Sequence, residues 1–359
     1  MNTTQRVRRA GLATVAALVI GGSGVAIGAA AADSSASGTL AAATSPAPAT
    51  STTPGPASYA SVVRQVLPSV VLIRTGNGLG SGVVLDTKGN IVTNAHVAGD
   101  ATRFQVQVAG DTAPRSARLV GTYPPDDLAV IRADDPSGLQ PAKFGDSGTV
   151  QAGDVVLAIG NPLGLSGSVT QGIISATDRA VTEPATDGSP AATLPGAIQT
   201  SAPINPGNSG GALVSASGQV VGIPTLAAGS PQGGGQAQGI GFAIPSNLAR
   251  DIATQIIDTG HVTNSHRAAI GAEVATVLGP DGTAGGVGVV AVTSGGGAER
   301  AGLRAGDVIT AVGGAQTTDT TALSQALAAA KPGDTVTVTV SRDGQDRSVQ
   351  VTLGELPGS

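Results

Sequence analysis

Short apolar runs separated by turn-forming residues fill the chain from Ser69 to about Ser246. Each run is rich in Val, Ile and Leu, and Gly, Asn, Asp or Pro stands between one run and the next. Strands therefore follow strands without intervening helices, which is typical of a β-barrel or a β-sandwich. The runs are SVVLIR, SGVVLD, NIVTNAHV, RFQVQV, SARLVG, LAVIRA, DVVLAIG, SVTQGIIS, GALVS, QVVGI and GIGFAIP.

Helical spacing of apolar residues marks the two ends of this region. From Tyr59 to Val66 the spacing predicts a helix with Ser58 as its N-cap. A second helix is predicted from Ser246, its N-cap, through Asp258. This second helix closes the first domain.

Beyond about residue 268 the pattern changes to a smaller mixed unit. Its apolar segments are GVGVVAVT, DVITAVG, the helical TALSQALAAA, TVTVTVSR and SVQVTL. About 90 residues are enough for an independent domain. We therefore predict one all-β domain over 58–262 and a small α+β domain over 268–355.

The N-terminus has the pattern of an export signal. Three arginines precede Ala10, and no charged residue follows until Asp33. Such a run is long enough to cross a bilayer as a helix, with the arginines on the cytoplasmic side. We expect 1–32 to be a single-pass anchor in the cell membrane or, alternatively, a cleaved signal of a secreted protein. The Ser/Thr/Ala/Pro-rich segment 33–57 is expected to be a disordered linker.

Charge and composition exclude several classes of function. The chain has 19 basic and 24 acidic residues, so it offers no overall basic surface for nucleic acid. It has no cysteine, which excludes disulfides, thiol catalysis and Cys-ligated metal sites. Its three histidines show no HExxH spacing, so a helical zinc-protease site is also absent.

A serine between glycines, at 207–211, is the candidate nucleophile. Glycines permit close approach of the backbone to a substrate. The amides of Gly207 and Ser209 are expected to stabilise an oxyanion, with Asn208 between them. The alternative is a plain glycine-rich turn.

A serine nucleophile needs an imidazole to accept its proton and a carboxylate to orient that imidazole. His96 follows the apolar run from Ile91, where a strand opens into a cleft. Asp127 precedes the strand LAVI and is expected to orient His96, shielded by that strand. Asp126 is the competing carboxylate, and its place after two prolines predicts a solvated side chain.

The order His96, Asp127, Ser209 is that of chymotrypsin-type proteases. An α/β-hydrolase is the alternative, because the same glycines satisfy G-x-S-x-G and His261 follows Asp251 and Asp258. That fold needs alternating strands and helices, whereas this region predicts successive strands.

Three segments resemble the signature segments of the HtrA (Deg) serine proteases: TNAHV at 93–97, DLAVI at 127–131 and INPGNSGGALV at 204–214. The similarity extends over roughly 58–355. It implies a chymotrypsin-like double six-stranded β-barrel with the active site between the barrels. In that resemblance His96 is the general base, Asp127 its orienting acid and Ser209 the nucleophile. The strand expected to line the substrate is Ile223, Pro224, Thr225, Leu226 and Ala227.

The C-terminal unit resembles the PDZ domain of the same family, most clearly in AGLRAGDVITAVGG at 301–314. The resemblance implies that a peptide C-terminus binds by strand addition at an apolar-Gly-apolar loop. That loop is Ala269, Ile270, Gly271 and Ala272. The alternative is that its apolar residues simply pack in a strand. The family also implies a homotrimer formed through aromatic residues at the start of the protease domain, where this chain has Tyr59.

The expected activity is hydrolysis of peptide bonds in unfolded or damaged extracytoplasmic proteins, through an acyl-enzyme and without a cofactor or metal. The expected partners are unfolded chains and peptide C-termini. The alternative function is a non-catalytic peptide-binding protein or holdase.

Overall fold

The fold is known from a computed structural model. It describes residues 58–76, 78–161, 167–183, 192–205, 207–229, 236–279 and 282–358. The predicted signal or anchor over 1–32 and the predicted linker over 33–57 lie outside these residues. In the part of the chain that is described, no helix has the length and apolar character needed to cross a membrane.

The first part of the chain forms a closed barrel. Its elements are α1 (Tyr59–Val66), β1 (Val70–Arg74), β2 (Leu79–Val84), β3 (Asn90–Thr93), α2 (Ala95–Ala98), β4 (Arg103–Val108), β5 (Arg115–Tyr123) and β6 (Leu128–Ala133). The strands pair antiparallel in the closed order β1-β2-β3-β6-β5-β4. Alternate side chains point inward, and Val71, Ile73 and Ile91 fill the barrel interior.

The second part repeats this architecture. Its elements are β7 (Val155–Gly160), β8 (Ser168–Glu183), β9 (Ala192–Thr200), β10 (Ala212–Ser215), β11 (Val220–Gly229), β12 (Gln236–Pro245) and α3 (Ser246–Thr259). The strands close into a barrel in the order β10-β11-β12-β9-β8-β7. Ile174, Ile198 and Leu213 belong to its interior.

Helix α3 packs where the two barrels meet. Its Ile252 and Ile256 are buried in one cluster with Leu128 of the first barrel and Ile159 of the second. Each such side chain contributes roughly 1.5–3 kcal/mol by leaving water. The predicted capping role of Ser246 is wrong, because this serine is the first helical residue and its hydroxyl donates to the Gly145 carbonyl at 2.9 Å.

The last part of the chain is a small α+β unit. Its elements are β13 (Ala268–Ala269), β14 (Ala272–Leu278), β15 (Ala284–Val292), α4 (Gly297–Arg300), β16 (Val308–Val312), β17 (Ala315–Gln316), α5 (Thr320–Leu327), β18 (Thr335–Arg342), β19 (Gln345–Thr352) and β20 (Gly354–Glu355). The main sheet has the order β14-β15-β16-β18-β19, and β13 pairs with β20. Asp319 caps α5 by accepting from the Ala322 amide at 2.8 Å.

The predicted fold class is confirmed: two six-stranded barrels are followed by a small α+β unit. The α/β-hydrolase alternative is wrong, because the strands of both described barrels pair antiparallel rather than in a parallel sheet between helices. His261 follows α3, where its Nδ1 lies 3.1 Å from the Thr259 carbonyl.

A buried ion pair connects the first barrel to the segment before β13. Arg267 Nη1 lies 3.0 Å from Asp126 Oδ1, and Asp126 is 0% exposed, so the predicted solvated position of Asp126 is wrong. Burial raises the pKa of Asp126 to about 6, although the Arg267 guanidinium and His266 oppose the shift. Burial, with the nearby Asp126 carboxylate, also raises the pKa of Tyr123 to about 12.

The Asp126 pKa predicts a pH dependence of stability. The folded state holds this proton more tightly than the unfolded chain, so stability falls as the pH rises from the ordinary Asp value to the folded value of about 6. Relative to Asp126→Asn, the free energy of unfolding of the wild type should decrease over that window by on the order of 2 kcal/mol. Urea denaturation of both proteins between about pH 4 and pH 7 measures this decrease in the free energy of unfolding.

The exposed Asp258→Asn is the matched control: it also removes one carboxylate but keeps Asp126, so its stability should still fall over the same pH range. A wild-type stability that stays parallel to that of Asp126→Asn, or rises above it with pH, would contradict the assignment.

Candidate active site

The three predicted catalytic residues come from both barrels. His96 lies in α2, directly after β3, and Asp127 lies between the short Pro124–Asp126 turn and β6. Ser209 lies in the loop before β10 of the second barrel. The site therefore requires contacts across the boundary between the barrels.

Asp127 holds the imidazole of His96. Nδ1 of His96 lies 2.9 Å from Oδ2 and 3.0 Å from Oδ1, and the His96 backbone amide donates to Oδ1 at 3.0 Å. Asp127 is 1% exposed, whereas the His96 side chain is 24% exposed. A carboxylate at Nδ1 selects the tautomer that carries its proton there, which leaves Nε2 as the basic nitrogen.

The backbone of Asp127 explains why this aspartate, and not its neighbour, contacts His96. Asp127 adopts a left-handed conformation with φ of 51° and ψ of 43°, which Asp tolerates better than most residues. Its carbonyl accepts from the Ala95 amide and from Asn94 Nδ2, both at 3.1 Å. These bonds fix the reversal in chain direction, so that Asp127 faces α2 while Asp126 faces Arg267.

Glycines at 207, 210 and 211 give the nucleophile loop its shape. Gly207 has φ of 106° and Gly210 has φ of 77°, values that side chains rarely permit. A Cβ on Gly210 would overlap the Ser81 carbonyl oxygen of the first barrel. From the sequence we expected these glycines to allow close approach of a substrate. The structure shows two further reasons for glycine: the positive φ angles at Gly207 and Gly210, and the contact of Gly210 with the first barrel.

Thr225 of β11 bonds to both Asp127 and Ser209. Its hydroxyl donates to Asp127 Oδ2 at 2.5 Å, and its carbonyl accepts from the Ser209 hydroxyl at 3.0 Å. From the sequence, Thr225 was predicted only to belong to the substrate strand, and its bond to Asp127 was not predicted. Its hydroxyl on an otherwise apolar strand could have indicated such a bond, because a buried hydroxyl needs a hydrogen-bond partner.

The backbone amides of residues 207–209 differ in their hydrogen bonding. The Asn208 amide donates to the Asn205 carbonyl at 2.9 Å, and Asn208 Nδ2 lies 3.3 Å from the Pro203 carbonyl. Within the described residues, the amides of Gly207 and Ser209 donate no hydrogen bond.

The predicted substrate strand, Ile223–Ala227, lies within β11. On the side toward Ser209, β11 pairs with β10 as far as Gly222, just before this range begins. Within the range, the Pro224 carbonyl accepts from the Gly210 amide at 2.9 Å. On the other side the backbone pairs with β12, including Leu226 with Phe242 and Ala227 with Gly241. The Ile223 side chain is buried in the core and does not line the cleft.

The predicted peptide-binding loop of the small unit borders a cavity of about 170 Å³. Ala269, Ile270 and Ala272 contribute to its wall, and Gly271 has φ of 77°. Ile270 is also buried in the core of the unit, as the packing alternative expected. The remaining lining residues include Val274 of β14, Leu323, Ser324 and Leu327 of α5, and Pro195 of β9.

Comparison with known proteins gives matches over both parts of the chain. Residues 80–223 match the trypsin-like peptidase domain, and residues 262–353 match the PDZ domain. The chain is 40% identical over 319 residues to the serine protease PepD of Mycobacterium tuberculosis, across 84% of this chain and 67% of PepD. It is 37% identical over 320 residues to the serine endoprotease DegS of Salmonella typhimurium, across 85% of this chain and 88% of DegS.

Comparison with a solved structure points to the same family. The HtrA-type protease AlgW with a decapeptide is 34% identical, covers 84% of this chain and 99% of its own, and superposes with a TM-score of 0.54. The resemblance found in the sequence is thereby confirmed, over the barrels and the small unit alike. The chain belongs to the HtrA (Deg) family of serine proteases, with a trypsin-like protease domain followed by a PDZ domain.

Proposed function

We propose that this protease cleaves unfolded or damaged extracytoplasmic proteins through a Ser209–His96–Asp127 acyl-enzyme mechanism. The observation that carries the proposal is the pair of bonds made by Thr225, which connects the Asp127 carboxylate to the Ser209 hydroxyl. His96 joins the same carboxylate through Nδ1. Asp127 is thus joined directly to His96 and, through Thr225, to Ser209.

In the first step, Ser209 Oγ attacks the carbonyl carbon of the scissile bond while His96 Nε2 accepts its proton. The negative charge that develops on the carbonyl oxygen is stabilised by the amides of Gly207 and Ser209. The tetrahedral intermediate collapses, the imidazolium protonates the leaving amine, and the acyl group remains as an ester on Ser209. Water then attacks that ester with His96 again as base, which regenerates the serine.

The Ser209 hydroxyl donates to the Thr225 carbonyl at 3.0 Å. During the attack we expect this hydroxyl to give its proton to the His96 imidazole. Catalytic hydrogen bonds commonly tighten only in the complex with substrate.

An extended substrate segment is expected to pair with β11 beyond the nucleophile loop. Beyond Gly222 the strand is no longer paired with β10, and its Pro224 and Thr225 carbonyls bond to Gly210 and Ser209. We therefore expect a substrate to pair with the backbone at Leu226 and Ala227. Strand addition recognises the backbone of the substrate, which suits unfolded chains of varied sequence.

The PDZ domain is expected to bind peptide C-termini in the cavity between β14 and α5. The carbonyls of Ile270 and Gly271 accept from the Ala298 and Thr293 amides, so we expect the amides of this loop to face a ligand carboxylate. The walls supplied by Val274, Leu323 and Leu327 suit an apolar terminal side chain. The AlgW structure solved with a decapeptide supports a peptide ligand.

The extracytoplasmic location rests on the N-terminal pattern of arginines followed by an uncharged run. We propose that this segment anchors the protease in the cell membrane. The proposed assembly is a homotrimer with Tyr59 at the contact.

Ser209→Ala should abolish hydrolysis of an unfolded casein substrate without unfolding the protein, because it removes the attacking oxygen. Loss of a nucleophile lowers kcat by about 10⁶-fold in serine proteases. A fluorophosphonate probe should label the wild type and fail to label the variant, as read by mass spectrometry. Labelling or turnover that persists in Ser209→Ala would reject the assignment.

His261→Ala is the matched control for His96→Ala, since both variants remove one histidine but only His96 contacts Asp127. Turnover should be lost with His96→Ala alone. A wild type that the probe does not label, but that still binds peptides at residues 268–355, would support the non-catalytic alternative.

Thr225→Val should lower kcat/KM by about 10- to 100-fold, because a hydrogen bond to a charged group contributes roughly 1.5–3 kcal/mol. Valine preserves the shape of threonine and the carbonyl that accepts from Ser209. Steady-state kinetics with a fluorogenic peptide measures the effect. Thr225→Ser retains a hydroxyl and should stay close to the wild type, whereas a fully active Thr225→Val would contradict the role of this bond.

A labelled peptide with an apolar C-terminal residue should bind the PDZ domain, and amidation of its terminal carboxylate should weaken binding at least about tenfold. The reason is that the loop amides lose a charged acceptor. Fluorescence anisotropy on the Ser209→Ala protein measures both affinities without cleavage. Equal affinities would show that the carboxylate is not recognised.

A further inference from the structure

Ser81 makes four hydrogen bonds at the contact between the first barrel and the nucleophile loop. It lies in β2 and is 0% exposed. Its amide donates to the Ser209 carbonyl at 2.9 Å, and its hydroxyl donates to the Gly207 carbonyl at 2.6 Å. The hydroxyl accepts from the Asn161 amide at 2.8 Å, and the Ser81 carbonyl accepts from the Thr93 hydroxyl at 2.7 Å.

Two of these bonds fix the residues that carry the oxyanion amides. The peptide unit after Gly207 is planar, and it is held at both ends: its carbonyl by Ser81 and its amide by the Asn205 carbonyl. Glycine at 207 has wide rotational freedom, so this peptide unit would turn easily without an external partner. The Ser209 carbonyl is held on the other side by the Ser81 amide.

Serine is suited to this position because one hydroxyl donates and accepts at the same time. Alanine would leave the Gly207 carbonyl and the Asn161 amide without their partner in a buried environment. The surroundings are close-packed: a Cβ on the adjacent Gly160 would lie 2.8 Å from the Asn208 Cα.

We infer that Ser81 is a positioning residue for the oxyanion hole. It holds the carbonyls of Gly207 and Ser209, which fixes the peptide units that follow the two oxyanion amides and so limits rotation of these two residues. This inference rests on the proposed hydrolytic function. Removal of a direct oxyanion donor lowers kcat by about 10²- to 10³-fold, and Ser81 acts one bond further away. The expected loss in Ser81→Ala is accordingly about 10- to 100-fold in kcat with KM changed less than about threefold.

The test compares Ser81→Ala with Ser246→Ala. Both variants remove a fully buried hydroxyl that donates to a distant carbonyl, but Ser246 bonds to Gly145 at the start of α3. Thermal denaturation, kcat, KM and the affinity for a peptide boronate are measured for each protein. The boronate forms a tetrahedral adduct on the nucleophile, so its affinity reports the oxyanion hole and not folding alone.

We expect boronate affinity to fall in Ser81→Ala by the same factor as kcat, and to stay at the wild-type value in Ser246→Ala. Boronate affinity and kcat in Ser81→Ala within about twofold of those in Ser246→Ala would overturn the inference. If Ser81→Ala does not fold, Ser81→Cys, which keeps a side chain of similar shape with a weak donor, is measured in the same way, and unchanged affinity there overturns it. Failure of both variants to fold also counts against it, since it marks a purely structural role.

The wild type separates this outcome from failure of the proposed function. A wild type that neither turns over peptides nor reacts with the fluorophosphonate rejects the proposed hydrolysis itself. An active wild type together with an unaffected Ser81→Ala rejects only the role of Ser81.

Discussion

A carboxylate buried at the boundary of two barrels is the constraint on which the active site depends. An ionised side chain removed from water is stable only when hydrogen bonds replace its hydration. Asp127 receives these bonds from His96 of the first barrel and from Thr225 of the second. The bonds that satisfy the charge therefore also bring the two barrels together, so the catalytic geometry and the packing of the protease domain have a common origin.

Two consecutive aspartates serve separate parts of the molecule because the backbone reverses between them. Asp127, in the left-handed conformation, faces the imidazole, whereas Asp126 faces Arg267 at the entrance to the PDZ domain. One short turn after β5 thus contributes to the active site on one side and to the attachment of the PDZ domain on the other. Asp126, whose pKa is raised by burial, is thus next to Asp127 in the chain and bonds to Arg267.

The sequence predicted those features whose determinants lie close together in the chain. Apolar runs and turn residues indicated the strands of both barrels. This succession of strands favoured the chymotrypsin-type protease over the α/β-hydrolase, because the order of the chemical residues could satisfy either. The partners of Thr225, Ser81 and Arg267 lie 98, 126 and 141 residues away, so no local pattern reports them. Burial of Asp126 was missed for the same reason, because it depends on packing against a distant arginine.

Close contacts between main-chain segments surround Ser209. At Gly160, Gly210 and Gly211, any Cβ would overlap main-chain atoms of a neighbouring segment, and main-chain atoms have no rotamer by which to withdraw. These three positions therefore leave no room for a side chain unless the main chain moves. Sequence changes compatible with this packing are expected outside these three glycines.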